Sequence, residues 1–589
     1  MGLTRRKASE ALRRSRRRPR ALGVTAGENA PSFFVAPVGE GEDAGALAVP
    51  DLLHLVARPW PDLRGSAALV RFGFEGGDCA GVFDALVRAM PLSPTAFVAE
   101  SFASQLYLDD LIGSCFSFEV DGRRYHPDTP SLRAILQRPP LAEEDGEARR
   151  AALRDLTDHP ILRRDLETLY GAVRKLRDAL ETGEGSEPSL IRRKIAVLTA
   201  IQTCVRALAD GFETGSSVLL RLRQFGQELL ASEGWKLLSS VVDLEGNVAT
   251  VDVRLRLGSD GGIRAFEVLA VRENDGSPLL RHPVVRLLQR FASYLRGYRY
   301  GENEVVLRLL EEVFVPWSEA VVSIVALTGS LEFYLSALGL RDLAAKKGLG
   351  VCLPELQNAV GPRDAAGPTR ILEGLFNPLL LLQGVTPRPV TLPETSADAL
   401  VVITGPNSGG KTRLLQALAL AQLLAEVGMF VPASRARLVR APRLLLSLGG
   451  DDDARQVEGR LGTELLRVRR VFEQLEPGAV VILDELCSGT NPLEGEAIFV
   501  TVLELMGRLR PQVYVSTHFL GLAARLERER PIAGLSFLQV ELDADEKPTF
   551  QFVPGVATSS LAHKVAERLG VTRDALEQLV AEKIRQAEA

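Results

Sequence analysis

The chain has 589 residues, of which 46% are hydrophobic and 25% are charged, as in ordinary globular proteins. This length predicts about three to five domains. The formal net charge of −5 excludes a generally basic nucleic-acid coat protein, so any DNA contact must come from local basic patches. No apolar run reaches the ~18 residues of a membrane helix, the start lacks an apolar signal stretch, and the scattered cysteines show neither a metal spacing nor a disulfide framework. We therefore expect a cytoplasmic protein that does not enter a membrane.

The first 128 residues carry no recognisable chemistry. Residues 1–20 hold nine Arg or Lys against one Glu, and a Gly-, Ala- and Pro-rich stretch follows, so residues 1–45 are predicted to form a basic disordered arm and linker. The arm is either a non-specific attractor of phosphates or a solvated tail. Residues 46–128 contain short apolar segments and are predicted to form a small N-terminal domain of unknown role.

Amphipathic helical patterns fill most of residues 129–350. We divide them into a helical core at 129–188, lever helices with an inserted hairpin at 189–300, and returning lever or core helices at 301–350. Within residues 189–232, apolar side chains from Ile191 to Phe212 share one heptad seam interrupted by Gln202. This seam favours a long helix packed along another as an arm, and a helix inside a compact bundle is the alternative.

The apolar period changes to two in residues 248–272, which predicts a β-hairpin clamp. Apolar and charged residues alternate from Val251 to Leu257, a Gly-rich turn follows, and a second alternating stretch returns. The charged face carries the candidate nucleic-acid contacts Arg254, Arg256 and Arg264. Residues 286–300 interleave arginines with aromatics and add the candidates Arg290, Arg296 and Arg299. A surface helix with arginines in water and aromatics in the core explains that segment equally well.

The rest of the chain is organised around residues 399–412, where a buried strand pattern breaks into a glycine-rich loop and a helix follows. The loop has the P-loop spacing G-x-x-x-x-G-K-[ST], which binds a nucleoside triphosphate with Mg²⁺. Its glycines let backbone N–H groups approach the phosphates, Lys411 reaches the β/γ-phosphates, and Thr412 offers its hydroxyl to Mg²⁺. The expected cofactors are ATP and Mg²⁺. The predicted nucleotide-binding residues are Gly405, Pro406, Asn407, Ser408, Gly409, Gly410, Lys411 and Thr412.

Two later strands supply further groups for this predicted site. An apolar strand ends in Asp484 and Glu485, and Asp484 follows Lys411 by 73 residues. Asp484 is suited to hold Mg²⁺, and Glu485 to orient or deprotonate the attacking water. His518 follows the next apolar strand and can hydrogen-bond the γ-phosphate. We expect this strand to lie beside the Asp484 strand. Ligands of open α/β sheets bind at the carboxyl ends of the strands, which is where His518 and Asp484 would both lie.

The order of these motifs resembles the ATPase domain of the MutS family. GPNSGGKT, LDELCSGTNPLEG and STH follow one another in the family's order, and GTNPLEG looks closer to the bacterial branch that often carries a C-terminal nuclease domain. The likeness covers residues 130–589 and includes a lever-and-clamp layout. It implies a multidomain fold of class α plus α/β, in which a helical core and lever with a β-hairpin clamp insertion precede an ABC-type P-loop ATPase domain at 351–570 and a C-terminal helix at 571–589.

The resemblance also implies a homodimer with two composite ATP sites, in which ATP binding and turnover move the lever arms around DNA. By matching position, Asn407, Lys411 and Thr412 would bind nucleotide and Mg²⁺. Asp484 would hold the metal, Glu485 would be the catalytic base, and His518 would be the γ-phosphate sensor.

The sequence departs from the family's pattern in four places. Gly462 stands where the family has the Ser of a signature pair that reaches the partner's nucleotide. Arg413 follows Thr412 where a smaller residue is common. The mismatch-reading Phe-x-Glu motif is absent from the N-terminal segments, so direct mismatch reading is not expected. The sequence ends at Ala589, soon after the ATPase motifs, so nuclease activity is not expected either.

These patterns predict a MutS-like DNA-binding ATPase. It would be a homodimeric clamp acting on branched, damaged or mispaired DNA in repair or recombination. The alternative is an ATP-gated clamp or scaffold whose partner is a ribosome, RNA or protein. The ATPase subunit of a membrane transporter is disfavoured, because a helical arm precedes the P-loop and no LSGGQ-like helix precedes Val480.

Overall fold

The computed structural model describes residues 49–588 except residues 62, 78, 182–186, 248–249, 258–262, 273–306, 308–309, 359–366, 449–459, 488–490 and 559–568. The predicted basic arm lies outside the described residues, and so do Arg290, Arg296 and Arg299. The backbone of the hairpin strands is described, and the side chains of Arg254, Arg256 and Arg264 are not.

The described residues up to Lys346 form a mainly helical body. Its elements are α1 (Arg64–Phe74), α2 (Ala80–Arg88), α3 (Leu108–Cys115), β1 (Phe118–Val120), β2 (Arg123–Tyr125), α4 (Thr129–Leu136), α5 (Glu143–Asp158), α6 (Pro160–Glu181), α7 (Glu187–Asp210), α8 (Ser217–Ala231), α9 (Glu233–Asn247), β3 (Thr250–Leu257), β4 (Ile263–Arg272), α10 (Ser318–Ala326) and α11 (Thr328–Lys346). Helix α4 begins with an N-cap: the Asp128 carboxylate accepts a hydrogen bond from the Ser131 N–H, and Pro130 occupies the first turn. The buried side chains of the segment expected as a small N-terminal domain join the same core as those of α5 to α11.

Residues 189–232 are helical, as the sequence predicts, but they form two helices. Helix α7 ends at Asp210 and α8 begins at Ser217, and Phe212 takes a φ of 61° at the reversal between them. Helix α7 packs against both α6 and α8, and its seam is buried in the main core. The compact-bundle alternative therefore describes α7 better than a free arm does, and a lever role for these helices stays a prediction.

A β-hairpin is present where the sequence predicts one. Strands β3 and β4 pair antiparallel from Thr250 opposite Arg272 to Leu257 opposite Ile263. Helix α9 ends at Asn247, three residues before β3 begins, so the hairpin extends directly from the helical body. Its action as a clamp stays a prediction.

A long apolar stretch lies inside the helical body. Among the described residues, Leu310–Lys346 is long and apolar enough by composition to cross a membrane, and its apolar window is completely buried in the protein. A helix that is apolar all round is expected in the core of a large protein. The burial of α10 and α11 accounts for their composition without a membrane.

The C-terminal part contains two sheets with helices between the strands. Its elements are β5 (Glu355–Gln357), β6 (Thr369–Leu375), α12 (Leu379–Leu382), β7 (Val390–Ser396), β8 (Leu400–Thr404), α13 (Lys411–Val427), β9 (Arg435–Val439), β10 (Leu444–Ser447), α14 (Arg460–Gln474), β11 (Val480–Leu483), α15 (Pro492–Gly507), β12 (Gln512–Ser516), α16 (Leu520–Glu529), β13 (Leu535–Leu542), β14 (Pro548–Pro554) and α17 (Arg573–Glu588). The smaller sheet has the order β5-β9-β6-β7. The larger has the order β10-β11-β12-β8-β13-β14, in which β10 to β13 run parallel and β14 is antiparallel.

Strand β8 lies inside the larger sheet and is buried along its whole length. Val401 and Ile403 join the core that includes α13 and the helical body, whereas Leu400 and Val402 join a second core with α15 and α16. Apolar residues on both faces are required in a sheet covered on both sides. The carboxyl end of β8 therefore opens between β12 and β13, at the edge where parallel α/β sheets bind ligands.

Candidate nucleotide-binding site

The loop that follows β8 depends on glycines at two positions. Gly405 has a φ of 136° and Gly410 a φ of 86°, values that residues with a Cβ atom rarely adopt. Steric space also requires glycine at position 405, because a Cβ atom there would lie 2.6 Å from Cγ2 of Val540 on β13. The loop is thus held tightly against the sheet, and α13 begins directly after it at Lys411. The amino end of this helix presents unpaired N–H groups and a positive dipole to any anion bound there.

The Lys411 ammonium is buried among oxygen acceptors of the loop. Its Nζ donates to the carbonyls of Gly405 at 2.9 Å and Pro406 at 3.2 Å, and to Oδ1 of Asn407 at 3.3 Å. Burial lowers the pKa of Lys411, and the negative charges of Glu485 and Asp484 partly oppose this shift. A buried cation next to backbone amides is well suited to bind a phosphate. The phosphate would supply a negative charge, which the neutral carbonyls around Lys411 lack.

Two side-chain oxygen atoms, one from Thr412 and one from Asp484, lie close together beside the loop. The Thr412 hydroxyl donates to Oδ2 of Asp484 at 2.6 Å, which joins the first turn of α13 to the end of β11. A hydroxyl and a carboxylate oxygen are ligands that Mg²⁺ accepts together with phosphate oxygens. The donor set present therefore fits the metal that the sequence predicts at this position.

The carboxyl end of β12 contacts both acidic residues. The Ser516 hydroxyl donates a short hydrogen bond to Oδ1 of Asp484 and accepts one from the Glu485 N–H at 2.9 Å. Glu485 has a φ of 49°, in the left-handed region. Within the described residues its half-buried carboxylate makes no hydrogen bond, so it is available to a water molecule or a substrate.

His518 lies just beyond β12, which pairs in parallel with the Asp484 strand as the sequence predicts. Its side chain is exposed, and its ring lies 4.3 Å from the ring of Phe519. No hydrogen bond of this ring occurs in the described part of the chain, so the ring is available to a ligand at the sheet edge.

A cavity of about 320 Å³ opens beside the loop, and apolar side chains make up most of its lining. Its wall includes Gly410 and α13 on one side and Phe550 of β14 on the other. A Cβ atom on Gly410 would lie 3.3 Å from Cδ1 of Phe550. The guanidinium of Arg388 lies over the Phe550 ring at 5.7 Å from its centroid. A flat aromatic group and a guanidinium plane beside a phosphate-type loop are suited to a nucleobase.

The structure describes two of the positions where the sequence departs from the family pattern, Arg413 and Gly462. The Arg413 guanidinium donates to Oε1 of Gln416 at 2.9 Å and lines the same cavity. Its backbone carbonyl accepts from the Asn377 side chain at 3.0 Å, so the first turn of α13 is tied to the segment before α12. Gly462 lies in the first turn of α14.

The structure therefore brings Lys411, Thr412 and Asp484 together, with Glu485 next to them. Sequence reasoning missed Ser516 and Phe550. Ser516 belongs to the STH motif, but only its contact with the neighbouring strand reveals its hydrogen bonds. Phe550 has no local signal, because β14 reaches the loop only through the antiparallel pairing with β13.

The fold is a mainly parallel α/β sheet with a glycine-rich loop after β8 and an acidic residue at the end of a second parallel strand. The family model "MutS domain V" matches residues 401–586, which contain this loop and every strand of the larger sheet apart from Leu400, the first residue of β8. This match and the relatives described next show that the chain is similar to the MutS family, most clearly over residues 401–586.

The relatives carry the name "Endonuclease MutS2". The one from Thermus thermophilus is 30% identical over 318 residues, which cover 53% of this chain and 39% of the relative. That from Thermomicrobium roseum is 28% identical over 462 residues, covering 76% and 53%. That from Lactiplantibacillus plantarum is 27% identical over 291 residues, covering 48% and 34%. The matched part thus spans between a third and about half the length of these relatives.

Proposed function

We propose that this chain is a Mg²⁺-dependent ATPase that works as a homodimeric clamp on branched, damaged or mispaired DNA. The observation that carries the ATPase part is the convergence of the Lys411 ammonium, the Thr412 hydroxyl and the Asp484 carboxylate at the carboxyl ends of β8 and β11. Lys411 would neutralise the β/γ-phosphates. Thr412 and Asp484 would hold Mg²⁺, which when bound polarises the transferred phosphoryl group.

The nucleobase would occupy the cavity beside Gly410. Stacking on Phe550 and Arg388 gives affinity for a planar base, and the apolar lining excludes water from its faces. The triphosphate would then extend along the loop toward Asp484. This direction agrees with the order of contacts along the loop, because Gly410 lines the cavity and Thr412 contacts Asp484.

Glu485 and His518 would act at the γ-phosphate end. The free carboxylate of Glu485 is the group best placed to orient a water molecule and accept its proton. The exposed ring of His518 would donate to a γ-phosphate oxygen and lose that contact after hydrolysis. No strand cleavage is part of this proposal, although the relatives are named endonucleases.

The DNA part of the proposal rests on the likeness to the MutS family and on the hairpin. Strands β3 and β4 follow α9 in the chain; Arg254 and Arg256 alternate with apolar residues on β3, and Arg264 belongs to β4. Phosphate contacts by such arginines release counterions, so DNA affinity should fall steeply as salt rises. Arg290, Arg296 and Arg299, which lie outside the described residues, stay further candidate contacts predicted from the sequence.

Helix α17 supports dimerisation. It carries exposed apolar side chains along one face, Leu576, Leu579, Val580 and Ile584. An unpaired apolar stripe of this kind is typical of a helix that packs on a partner. A second copy of the chain is the proposed partner, and a cytoplasmic location agrees with the buried position of the most apolar stretch.

The deciding experiment is the steady-state ATPase rate of the full chain, alone and with homoduplex, mismatched and branched DNA, at two salt concentrations. We expect Mg²⁺-dependent turnover that one of the DNAs stimulates, with less stimulation at high salt. Turnover indifferent to all three DNAs, together with salt-resistant co-purification with ribosomes, RNA or one protein, would favour the scaffold alternative. Absence of ATP hydrolysis in every condition would overturn the ATPase proposal.

A variant pair assigns the turnover to this site. Glu485→Gln should keep ATP binding and lose most hydrolysis, because an amide cannot accept the proton of the attacking water. Glu529→Gln is the matched control, since Glu529 lies on α16 with an exposed carboxylate near Arg528. It should leave both binding and hydrolysis unchanged. Hydrolysis near the wild-type rate in Glu485→Gln would remove Glu485 from its proposed role.

A further inference from the structure

Ser516 is the last residue of β12 and is completely buried. Strand β12 lies between β11, which delivers Asp484, and β8, which delivers the loop. Ser516 pairs with Ile403 of β8 in the parallel register. The residue therefore lies beside both halves of the nucleotide site without belonging to either.

The Ser516 hydroxyl uses both kinds of hydrogen bond that it can make. It donates to Oδ1 of Asp484 and accepts from the backbone N–H of Glu485 at 2.9 Å. A hydroxyl has one donor and two acceptor lone pairs, so one small side chain can satisfy both neighbours. An alanine offers neither function, and it would leave the Glu485 N–H and one Asp484 oxygen without these partners.

The two bonds fix which oxygen of Asp484 faces the loop. Oδ1 is held by Ser516, and this directs Oδ2 to the Thr412 hydroxyl at 2.6 Å. A metal ion between Thr412 and Asp484 would compete with that direct bond for the same two oxygens. The bond from Ser516 lies on the other oxygen and can persist when the metal binds.

The same hydroxyl restrains the backbone at the proposed catalytic base. Glu485 has a φ of 49°, which non-glycine residues adopt only where the surroundings enforce it. The hydrogen bond from its N–H to Ser516 is one such restraint. The position of the Glu485 carboxylate therefore depends on Ser516 through the main chain, with no side-chain contact between them.

We propose that Ser516 is a positioning residue for the hydrolytic step, which orients the metal-binding oxygen of Asp484 and the backbone of Glu485 at once. This inference rests on the proposed ATPase function. A substitution of Ser516 should therefore change kcat and the Mg²⁺ dependence of the rate but not the Kd for the nucleotide. In the described part of the chain, neither the loop nor the cavity contacts the Ser516 hydroxyl.

The test compares Ser516→Ala, Ser516→Thr and Ser536→Ala in the full chain. Ser536 lies on β13 of the same sheet, and its buried hydroxyl has no hydrogen-bond partner among the described residues, so it is a matched serine deletion. Ser516→Ala should lower kcat about tenfold and raise the Mg²⁺ concentration for half-maximal rate several-fold, as the loss of groups that orient metal ligands does. Its Kd for ATP measured in EDTA should stay within about twofold of wild type, and Ser536→Ala should match wild type in all three quantities.

Ser516→Thr keeps the hydroxyl and should restore kcat and the Mg²⁺ dependence. Hydrogen exchange supplies a second measurement, which does not depend on whether Ser516→Thr folds. The Glu485 amide should exchange faster in Ser516→Ala, while the amides of β11 keep their protection. Ser516→Ala with wild-type kcat and Mg²⁺ dependence would overturn the inference, and so would a folded Ser516→Thr without rescue or a Glu485 amide that exchanges at the wild-type rate. A wild-type chain that hydrolyses no ATP would instead overturn the proposed function.

Discussion

The guanidinium of Arg149 on α5 donates a hydrogen bond of 2.9 Å from Nη1 to the carbonyl of Val427, the last residue of α13. Its Nε and Nη2 donate to the Leu53 carbonyl and the Ser93 hydroxyl, each at 2.9 Å. Burial lowers the pKa of Arg149 to about 10, so it remains charged at neutral pH. A cation at the carboxyl end of a helix is favourable, because the macrodipole is negative there. The helix that begins at the nucleotide loop is thus anchored at its far end to the helical body.

Removing this anchor should destabilise the protein. Arg149→Met keeps most of the volume of the side chain and leaves the three oxygens of Val427, Leu53 and Ser93 without their donor. We expect the free energy of unfolding to fall by about 3 kcal/mol, since buried acceptors are left unsatisfied. The measurement is the urea midpoint of the full chain. Arg154→Met is the control, because Arg154 lies on the same helix but is half exposed and 3.7 Å from Glu147; a change of similar size there would contradict the assignment.

Glu426, next to Val427, should make stability depend on pH. Its buried carboxylate accepts from the Ala441 N–H at 2.7 Å and from Nε2 of Gln422 at 2.8 Å, and burial raises its pKa to about 7. The folded state therefore binds a proton more tightly than the unfolded state does. The contribution of this group is fully present below the unfolded pKa of about 4.3 and is lost as pH rises through the folded pKa.

Glu426→Gln should remove this dependence, because an amide does not ionise in the range. Relative to wild type, the variant should gain stability between pH 5 and pH 8, as measured by the shift of the urea midpoint. Glu473→Gln is the control, since Glu473 is exposed on α14 and ion-paired with Arg469 at 2.9 Å. A Glu426→Gln variant with the wild-type pH profile would show that this carboxyl does not titrate in the window.

Phe550 should contribute to binding of the base and not of the phosphates. Phe550→Ala should raise the Kd for ATP about tenfold, because stacking on an aromatic ring is worth about 1–3 kcal/mol per base. Affinity for inorganic triphosphate, which has no base, should not change. Both affinities can be measured by calorimetry. Phe72→Ala is the control, since Phe72 is a comparably exposed phenylalanine on α1; equal losses for ATP and triphosphate in Phe550→Ala would contradict a base-stacking role.

Lys411 should show the opposite pattern. Lys411→Ala removes the charge beside the phosphates, so the affinities for ATP and for inorganic triphosphate should both fall at least about tenfold. The stability of the nucleotide-free chain should not fall, because the substitution also removes the cost of burying an ammonium among neutral carbonyls. Lys346→Ala, at an exposed lysine of the helical body, should change neither affinity. An unchanged affinity for ATP in Lys411→Ala would argue against a phosphate site at this loop.

Helix and loop boundaries were predictable where the signal is local. The strand before Gly405, the loop and the start of α13 at Lys411 follow from residues that are neighbours in the sequence. The helical segment predicted over residues 189–232 is broken between α7 and α8. Its heptad seam continues in the sequence past Asp210, but Gly211 and Gly215 flank a reversal at Phe212 that the periodicity did not detect.

The sequence by itself determined the glycine-rich loop after β8, the two acidic residues after β11, the position of the hairpin and the family resemblance, because each depends on short-range spacing and side-chain type. Only the tertiary structure decided which distant groups meet them. Ser516 reaches Glu485 across 31 residues and Arg149 reaches Val427 across 278. Such contacts depend on strand order and helix packing, and these are set by the burial of many apolar side chains together rather than by any local pattern.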